Sequence, residues 1–225
     1  MSIYEVINVE QGTDAWLRER LKRVTASQTP SLFGLSKYQS LYQLLEEKIT
    51  GQETIQKNEF IFKKGHEAEL AARHWAEADL GFKLPPAVIV SHHCENLLAS
   101  LDGFNEEQNV ILEAKYMGAK SLEDLKQGKL NPSHECQVQA QLLASGATHC
   151  IYFATAINGD SAILQIKPNP EYHEKLKVAV SDFMADLNEL EKFKENLLSK
   201  YRIKSQPPLK TLASGARDPF RMKMR

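Results

Sequence analysis

Long apolar runs are missing from this chain of 225 residues: no stretch approaches the ~18 consecutive apolar residues that a membrane-spanning helix needs. The first residues, MSIYEVINVEQG, lack the basic and then apolar order of a secretory signal. Cysteine is scarce. Cys94, Cys136 and Cys150 fall at irregular spacings that make no disulfide framework, so a reducing cytoplasm is the expected setting. No charge sign dominates either. The net charge of −1 argues against a simple basic coat for nucleic acid, although the local field depends on how charge is distributed rather than on its sum. Internal repeats and low-complexity segments are absent. So are the Gly-x-Ser-x-Gly elbow of a serine hydrolase and the phosphate loop of an ATP motor.

What remains has ordinary globular proportions, with 42% hydrophobic and 25% charged residues, enough for one domain with a substantial core. TDAWLRERLK (13–22) reads as a capped helix. SLYQLLEEKITG (40–51) reads as a second, closed by Gly51, and residues 59–80 as a third. AVIV (87–90) is a strand, and ASL (99–101) and VIL (110–112) are two more, joined through FNEEQN. ECQVQAQLLASG (135–146) is helical, and residues 149–167 form a hairpin turning at Asn158-Gly159. Leu176, Val180, Phe183, Leu187 and Leu190 mark one face of a helix over 171–200. The expected fold is α/β (α+β), a central mixed β-sheet flanked by helices. It occupies residues 1–200, and a basic tail follows over 201–225. From Lys200 to Arg225 eight Lys or Arg face one acid, Asp218, either as a solvated terminus or as a phosphate- or partner-binding tail.

One stretch is chemically unusual. In LDGFNEEQNVILEAKY (101–116), Glu113 and Lys115 are two residues apart on a strand and share a face, and Asp102 ends the preceding run. Carboxylates at the ends of neighbouring strands can share a hard cation such as Mg²⁺, which takes oxygen ligands. The cation supplies an activated water and a sink for phosphoryl charge. A lysine on that face can orient or deprotonate the water, and a nearby metal favours its neutral form. An exposed charged hairpin would match the same spacing. A zinc site can also be assembled from His92, His93, Cys94, His134 and Cys136, but adjacent residues of a strand point opposite ways and no Cys-x2-Cys pair is present. Phe60 and Phe62, before Lys63 and Lys64, read as core packing at a helix start.

Six short segments shift that balance: VEQGTDAW, VTAS, GHEAELAAR, SLDGF, EAK and QVQ, in this order along the chain. Together they resemble the phage lambda-type exonucleases, the YqaJ-like viral recombinase nucleases of the PD-(D/E)xK superfamily. The resemblance implies a restriction-endonuclease-like core in which Asp102, Glu113 and the Ala114 carbonyl hold Mg²⁺ (one or two ions, with Mn²⁺ able to substitute). Lys115 would handle the attacking water, Glu69 would stand beside the metal and bind it directly or through water, and Gln137 would position the water or the scissile phosphate. Arg20, Ser27 and Ser100 would bind the 5′-phosphate of the digested strand, where a guanidinium gives planar, bidentate recognition. His134, Thr25 and Phe62 would contact DNA, Phe62 as a candidate wedge at the duplex end.

The activity implied is 5′→3′ digestion of one strand of duplex DNA to mononucleotides, leaving a 3′ overhang for recombination. A homotrimeric ring and a single-strand annealing protein are the implied partners. A structure-specific endonuclease or an end-binding module of the same fold is the alternative. Two positions depart from the family pattern: Leu101 replaces its proline, and Lys22 replaces the usual glycine after Arg20-Leu21.

Overall fold

The computed structural model describes residues 2–52 and 59–201; of the expected basic tail, residues 202–225 lie outside them. In chain order the elements are β1 (Tyr4–Val6), α1 (Asp14–Leu21), β2 (Val24–Thr25), α2 (Thr29–Leu32), α3 (Leu41–Thr50) and α4 (Glu59–Leu80). There follow β3 (Ala87–Ser91), β4 (Leu97–Leu101), β5 (Gly103–Asn105), β6 (Val110–Met117), α5 (Ala119–Lys126), α6 (Pro132–Ser145), β7 (His149–Ala156), β8 (Ser161–Ile166) and α7 (Pro170–Tyr201). Local chemistry sets several ends. Thr13 and Ser40 accept from main-chain amides in the first turns of α1 and α3, Pro132 occupies the first turn of α6, and left-handed Gly51 and Gly146 close α3 and α6.

The strands pair in two four-stranded sheets, ordered β1-β3-β4-β2 and β5-β6-β7-β8, where the sequence suggested one. Both are mixed. β2 runs parallel to β4 and β6 parallel to β7, and the other pairings are antiparallel. The sheets meet where β4 passes into β5, at the single residue Asp102. β6, which carries Glu113 and Lys115, lies between β5 and β7; β5 pairs only as far as Leu112, yet Glu113 beyond it is buried, so the charged face is not an edge in water.

Strand alternation sends the two faces of β6 to different cores. Ile111, with Cys150, Tyr152 and Ala154 of β7, faces the main core, shared with Val138 and Leu142 of α6 and Leu176 and Val180 of α7. Leu112, with Ile151 and Phe153, faces Ala72 and Ala76 of α4. Those alanines let α4 lie close on the sheet, and Trp75 beside them packs on Phe153 at 5.5 Å between ring centroids. All three cysteines are buried and unpaired, and they act as small core residues.

The chain divides into two compact units, Met1–Asn188 and Glu189–Arg225. The first ends before the boundary at 200 read from the sequence. Along α7 the buried stripe stops at Leu187, and Leu190, expected on the same face, is 39% exposed. Of the second unit the structure describes the helical stretch to Tyr201, where Phe193 and Leu197 are exposed. Among the described residues no helix is long and apolar enough to cross a membrane.

Candidate active site

Asp102 sits in the one-residue gap between β4 and β5, and its surroundings hold the gap open. Gly103 follows, at a place where a side chain would be crowded. A Cβ there would lie 3.0 Å from the Leu84 carbonyl oxygen and 3.1 Å from the Leu112 Cβ. Arg73 of α4 donates from Nε (3.0 Å) and Nη2 (2.8 Å) to the Asp102 main-chain oxygen, and Nη2 also donates to Glu69 at 2.5 Å. Asp102 Oδ2 in turn accepts from the Ala114 amide at 2.8 Å. Pairing of β5 with β6 begins at Gly103–Leu112, so Ala114 lies beyond it and meets a carboxylate instead of backbone. Because the N–H and C=O of one strand residue project to the same edge, the Ala114 carbonyl is directed to the Asp102 side as well.

Glu113 is 2% exposed and held by three donors. Oε1 accepts from Lys115 Nζ and from Gln137 Nε2 (2.6 Å), and Oε2 accepts from Gln141 Nε2 (2.5 Å). Gln137 and Gln141 are one helical turn apart on α6 and face β6 together. Lys115 also donates to Gln137 Oε1 at 3.1 Å. Burial, and then the charge of Glu113, raise the Asp102 pKa well above the usual carboxylate range. Burial pulls the Lys115 pKa down, but Glu113, Asp102 and the bond to Glu113 together push it up. Among the protein's own groups, the charges of Glu113 and Asp102 outweigh burial and favour the ammonium form of Lys115.

The opposite wall is built around Trp16 of α1. Its Nε1 donates to Ser100 Oγ at 2.8 Å, and the Arg20 guanidinium lies over its ring at 4.4 Å. Thr25 and Ser27 share a hydroxyl–hydroxyl bond of 3.1 Å. One cleft of about 1340 Å³ is lined by both walls, Arg20, Thr25, Ser27 and Ser100 on one and Asp102, Glu113, Ala114, Lys115 and Gln137 on the other, with Glu69 and Arg73 between them.

Other expected members stand differently. Glu69 reaches the cleft with its carboxylate paired to Arg73. Thr25 lines the cleft at only 1% exposure, and its hydroxyl is engaged with that of Ser27. His134 does not line the cleft. Its Nδ1 meets the Tyr152 hydroxyl at 2.6 Å, and burial, with Lys115 and Lys37 nearby, draws its pKa to about 4. Phe60, expected in the core, is 57% exposed, and the Phe62 side chain lies outside the described residues. Sequence reasoning quoted Arg73 within GHEAELAAR and gave it no role.

Among the described residues no group of three or more His, Cys, Asp or Glu side chains is spaced to hold a metal. This leaves the zinc reading without a site. Asp102 and Glu113 remain as a pair of carboxylates, with the Ala114 carbonyl as a further oxygen donor and Glu69 lining the same cleft. That set suits a hard, largely hydrated cation. Gln141 Oε1, the one buried side-chain polar atom without a partner among the described residues, lies beside it and can accept from a bound water.

The fold recurs in solved structures. An alkaline exonuclease, LHK-Exo from Laribacter hongkongensis, superposes with a TM-score of 0.68 at 22% identity over 84% of this chain and 99% of its own. Its complex with dAMP superposes with a TM-score of 0.67. A phage-related exonuclease from Haemophilus somnus 129PT gives 0.56 at 13% identity, over 81% of this chain and 99% of its own. In sequence, the uncharacterized protein YqaJ of Bacillus subtilis is 26% identical over 185 residues, 80% of this chain and 57% of its own. The chain thus spans little more than half of that relative. Residues 15–148, which run from α1 to the turn before β7 and include both walls of the cleft, match the YqaJ-like viral recombinase domain, and the protein belongs to that family.

Proposed function

We propose that the protein is a Mg²⁺-dependent exonuclease that digests one strand of duplex DNA from a 5′-phosphorylated end, in the 5′→3′ direction, releasing mononucleotides. The observation that carries this reading is the two-walled cleft. Arg20, Ser27 and Ser100 suit a terminal phosphate, and Asp102, Glu113, Lys115 and Gln137 suit a hydrolytic centre. Ser100 lies on β4 and Asp102 one residue past its end, about 6.6 Å apart for extended backbone, comparable to the reach of a single nucleotide. A chain anchored by its first phosphate would thus present its next linkage to the carboxylates. The complex of LHK-Exo with dAMP, a nucleoside monophosphate, supports a product of that class.

Mg²⁺, held by Asp102, Glu113 and the Ala114 carbonyl, would polarise the scissile phosphate and acidify water. Glu113 is aimed by its three donors. Lys115 and Gln137 flank the place where water would attack, and orient it. Arg73 holds the Asp102 main chain in register with Ala114. We further propose action in the bacterial cytoplasm as a homotrimeric ring, with a single-strand annealing protein taking up the 3′ overhang.

Linear duplexes carrying a 5′-phosphate or a 5′-hydroxyl, and a covalently closed circle, are digested with Mg²⁺, with Mn²⁺ and with chelator. Mononucleotides from the phosphorylated end, metal dependence and an untouched circle are expected. Cleavage of the circle would point to the endonuclease reading instead.

A further inference from the structure

Beneath the Arg20 wall lies a polar cluster that does not touch the cleft. Gln28, Gln39, Glu47 and Lys48 are each 4–7% exposed, a setting in which polar groups are costly unless paired. Here they are paired in a chain. Gln39 Nε2 donates to Glu47 Oε2 (2.6 Å) and Gln28 Nε2 to Glu47 Oε1 (2.8 Å). Lys48 Nζ donates to Gln28 Oε1 (2.8 Å), to the Arg20 main-chain oxygen (2.5 Å) and to that of Arg23 (2.6 Å). Gln28 Oε1 also accepts from the Thr25 amide at 3.2 Å.

Three acceptors around one nitrogen match the three protons of an ammonium. Burial, and then the nearby Arg20 charge, pull the Lys48 pKa down to about 7; the acceptor geometry favours the charged form, which is the one the surrounding oxygens satisfy.

One side chain thus grips both parts of the proposed phosphate pocket. It binds the main chain of Arg20 directly, and through Gln28 it fixes the turn that carries Thr25 and Ser27. Arg20 is in turn stacked on the Trp16 ring that bonds Ser100. We propose that Lys48 is a positioning residue for terminal-phosphate recognition, setting Arg20 and Ser27 at the spacing a 5′-phosphate requires. The inference rests on the terminal-phosphate reading above and deepens it. A side chain this deep acts on the ligand only through the residues it holds.

The test measures kcat and KM of full-length Lys48→Met on duplexes with 5′-phosphate and 5′-hydroxyl ends, with Arg20→Ala alongside. For Lys48→Met, KM at phosphorylated ends should rise about tenfold, the scale of one lost hydrogen bond to a charged group. KM at hydroxyl ends and kcat should stay unchanged, so the preference falls by the same factor. If Arg20→Ala keeps the preference, the terminal-phosphate reading itself fails. If Arg20→Ala loses it while Lys48→Met keeps it, or Lys48→Met weakens both ends equally, the role of Lys48 is overturned. Should Lys48→Met not fold, Gln28→Leu cuts the link to the Thr25–Ser27 turn while sparing the bonds to α1, and the same outcomes decide.

Discussion

A carboxylate buried as deeply as Glu113 is costly unless donors surround it, and the donors chosen say what the site is for. Lys115, Gln137 and Gln141 all converge on Glu113, and two of them are neutral amides that can serve without cancelling its charge. Lys115 is the exception, the one cation in that set, and it lines the cleft with Asp102. Lys115→Ala should therefore lower cleavage by about 10²–10⁴-fold while leaving DNA binding intact; near-normal turnover would remove it from the chemistry. Arg73 acts on geometry instead. Arg73→Lys keeps the charge but loses the paired donation to the Asp102 carbonyl. The Mg²⁺ concentration for half-maximal activity should then rise several-fold, with folding preserved by circular dichroism. His134 offers a check by pH. Its folded pKa, about 4, lies below its ordinary 6.5, so the unfolded chain takes up the proton first. The stability from the neutral ring is fully present above about pH 6.5 and is lost as pH falls through about 4. Denaturant titrations of His134→Gln should show a flatter acid limb across that window, and a limb as steep as the parent's would reject the assignment.

Among the elements, the join of β4 to β5 is the most constrained. Gly103→Ala would press a methyl group against the backbone oxygen and Cβ of Leu84 and the Cβ of Leu112, at a cost of about 1–3 kcal/mol. It would also displace the neighbouring Asp102. A fall in melting temperature accompanied by a larger loss of activity is expected, and an unaffected enzyme would show that the gap is not needed. The same join explains what the sequence could and could not disclose. Glu113 and Lys115 were legible because a strand has a fixed period of two; Gln141, one turn after Gln137, was given no role although a helix brings i and i+4 together. Helix ends at Gly51 and Gly146 were legible as left-handed caps. Arg73 was not, since its meaning depends on Asp102, 29 residues away, at a break in strand pairing that no local pattern marks. β1 and β2 escaped for a related reason. They are three and two residues long, too short for any periodicity, and they exist only through β3 and β4. The division into two sheets went unseen because adjacent apolar runs look alike whether or not a sheet is interrupted between them.

At the scale of the molecule, the charge balance bears on how the enzyme would stay on DNA. A net charge of −1 gives little general attraction to a polyanion, so persistence through affinity alone would need many phosphate contacts and would collapse as salt rises. A closed ring around the duplex separates these effects. Salt would slow the capture of an end, while an enzyme already threaded would stay on because it cannot leave sideways. The family reading therefore makes two linked expectations for solution. The protein should run at three times the 25.4 kDa chain mass in light scattering, in keeping with cyclic assembly. With a trap added after the start of digestion, the number of nucleotides removed per binding event should change little between 50 and 200 mM salt, values in the range where phosphate-contact binding falls steeply, while the rate of initiation drops. A monomer whose run length shrinks in step with its initiation rate would leave persistence to charge contacts alone, and the ring would have to be abandoned even if the end-directed chemistry of the cleft stood.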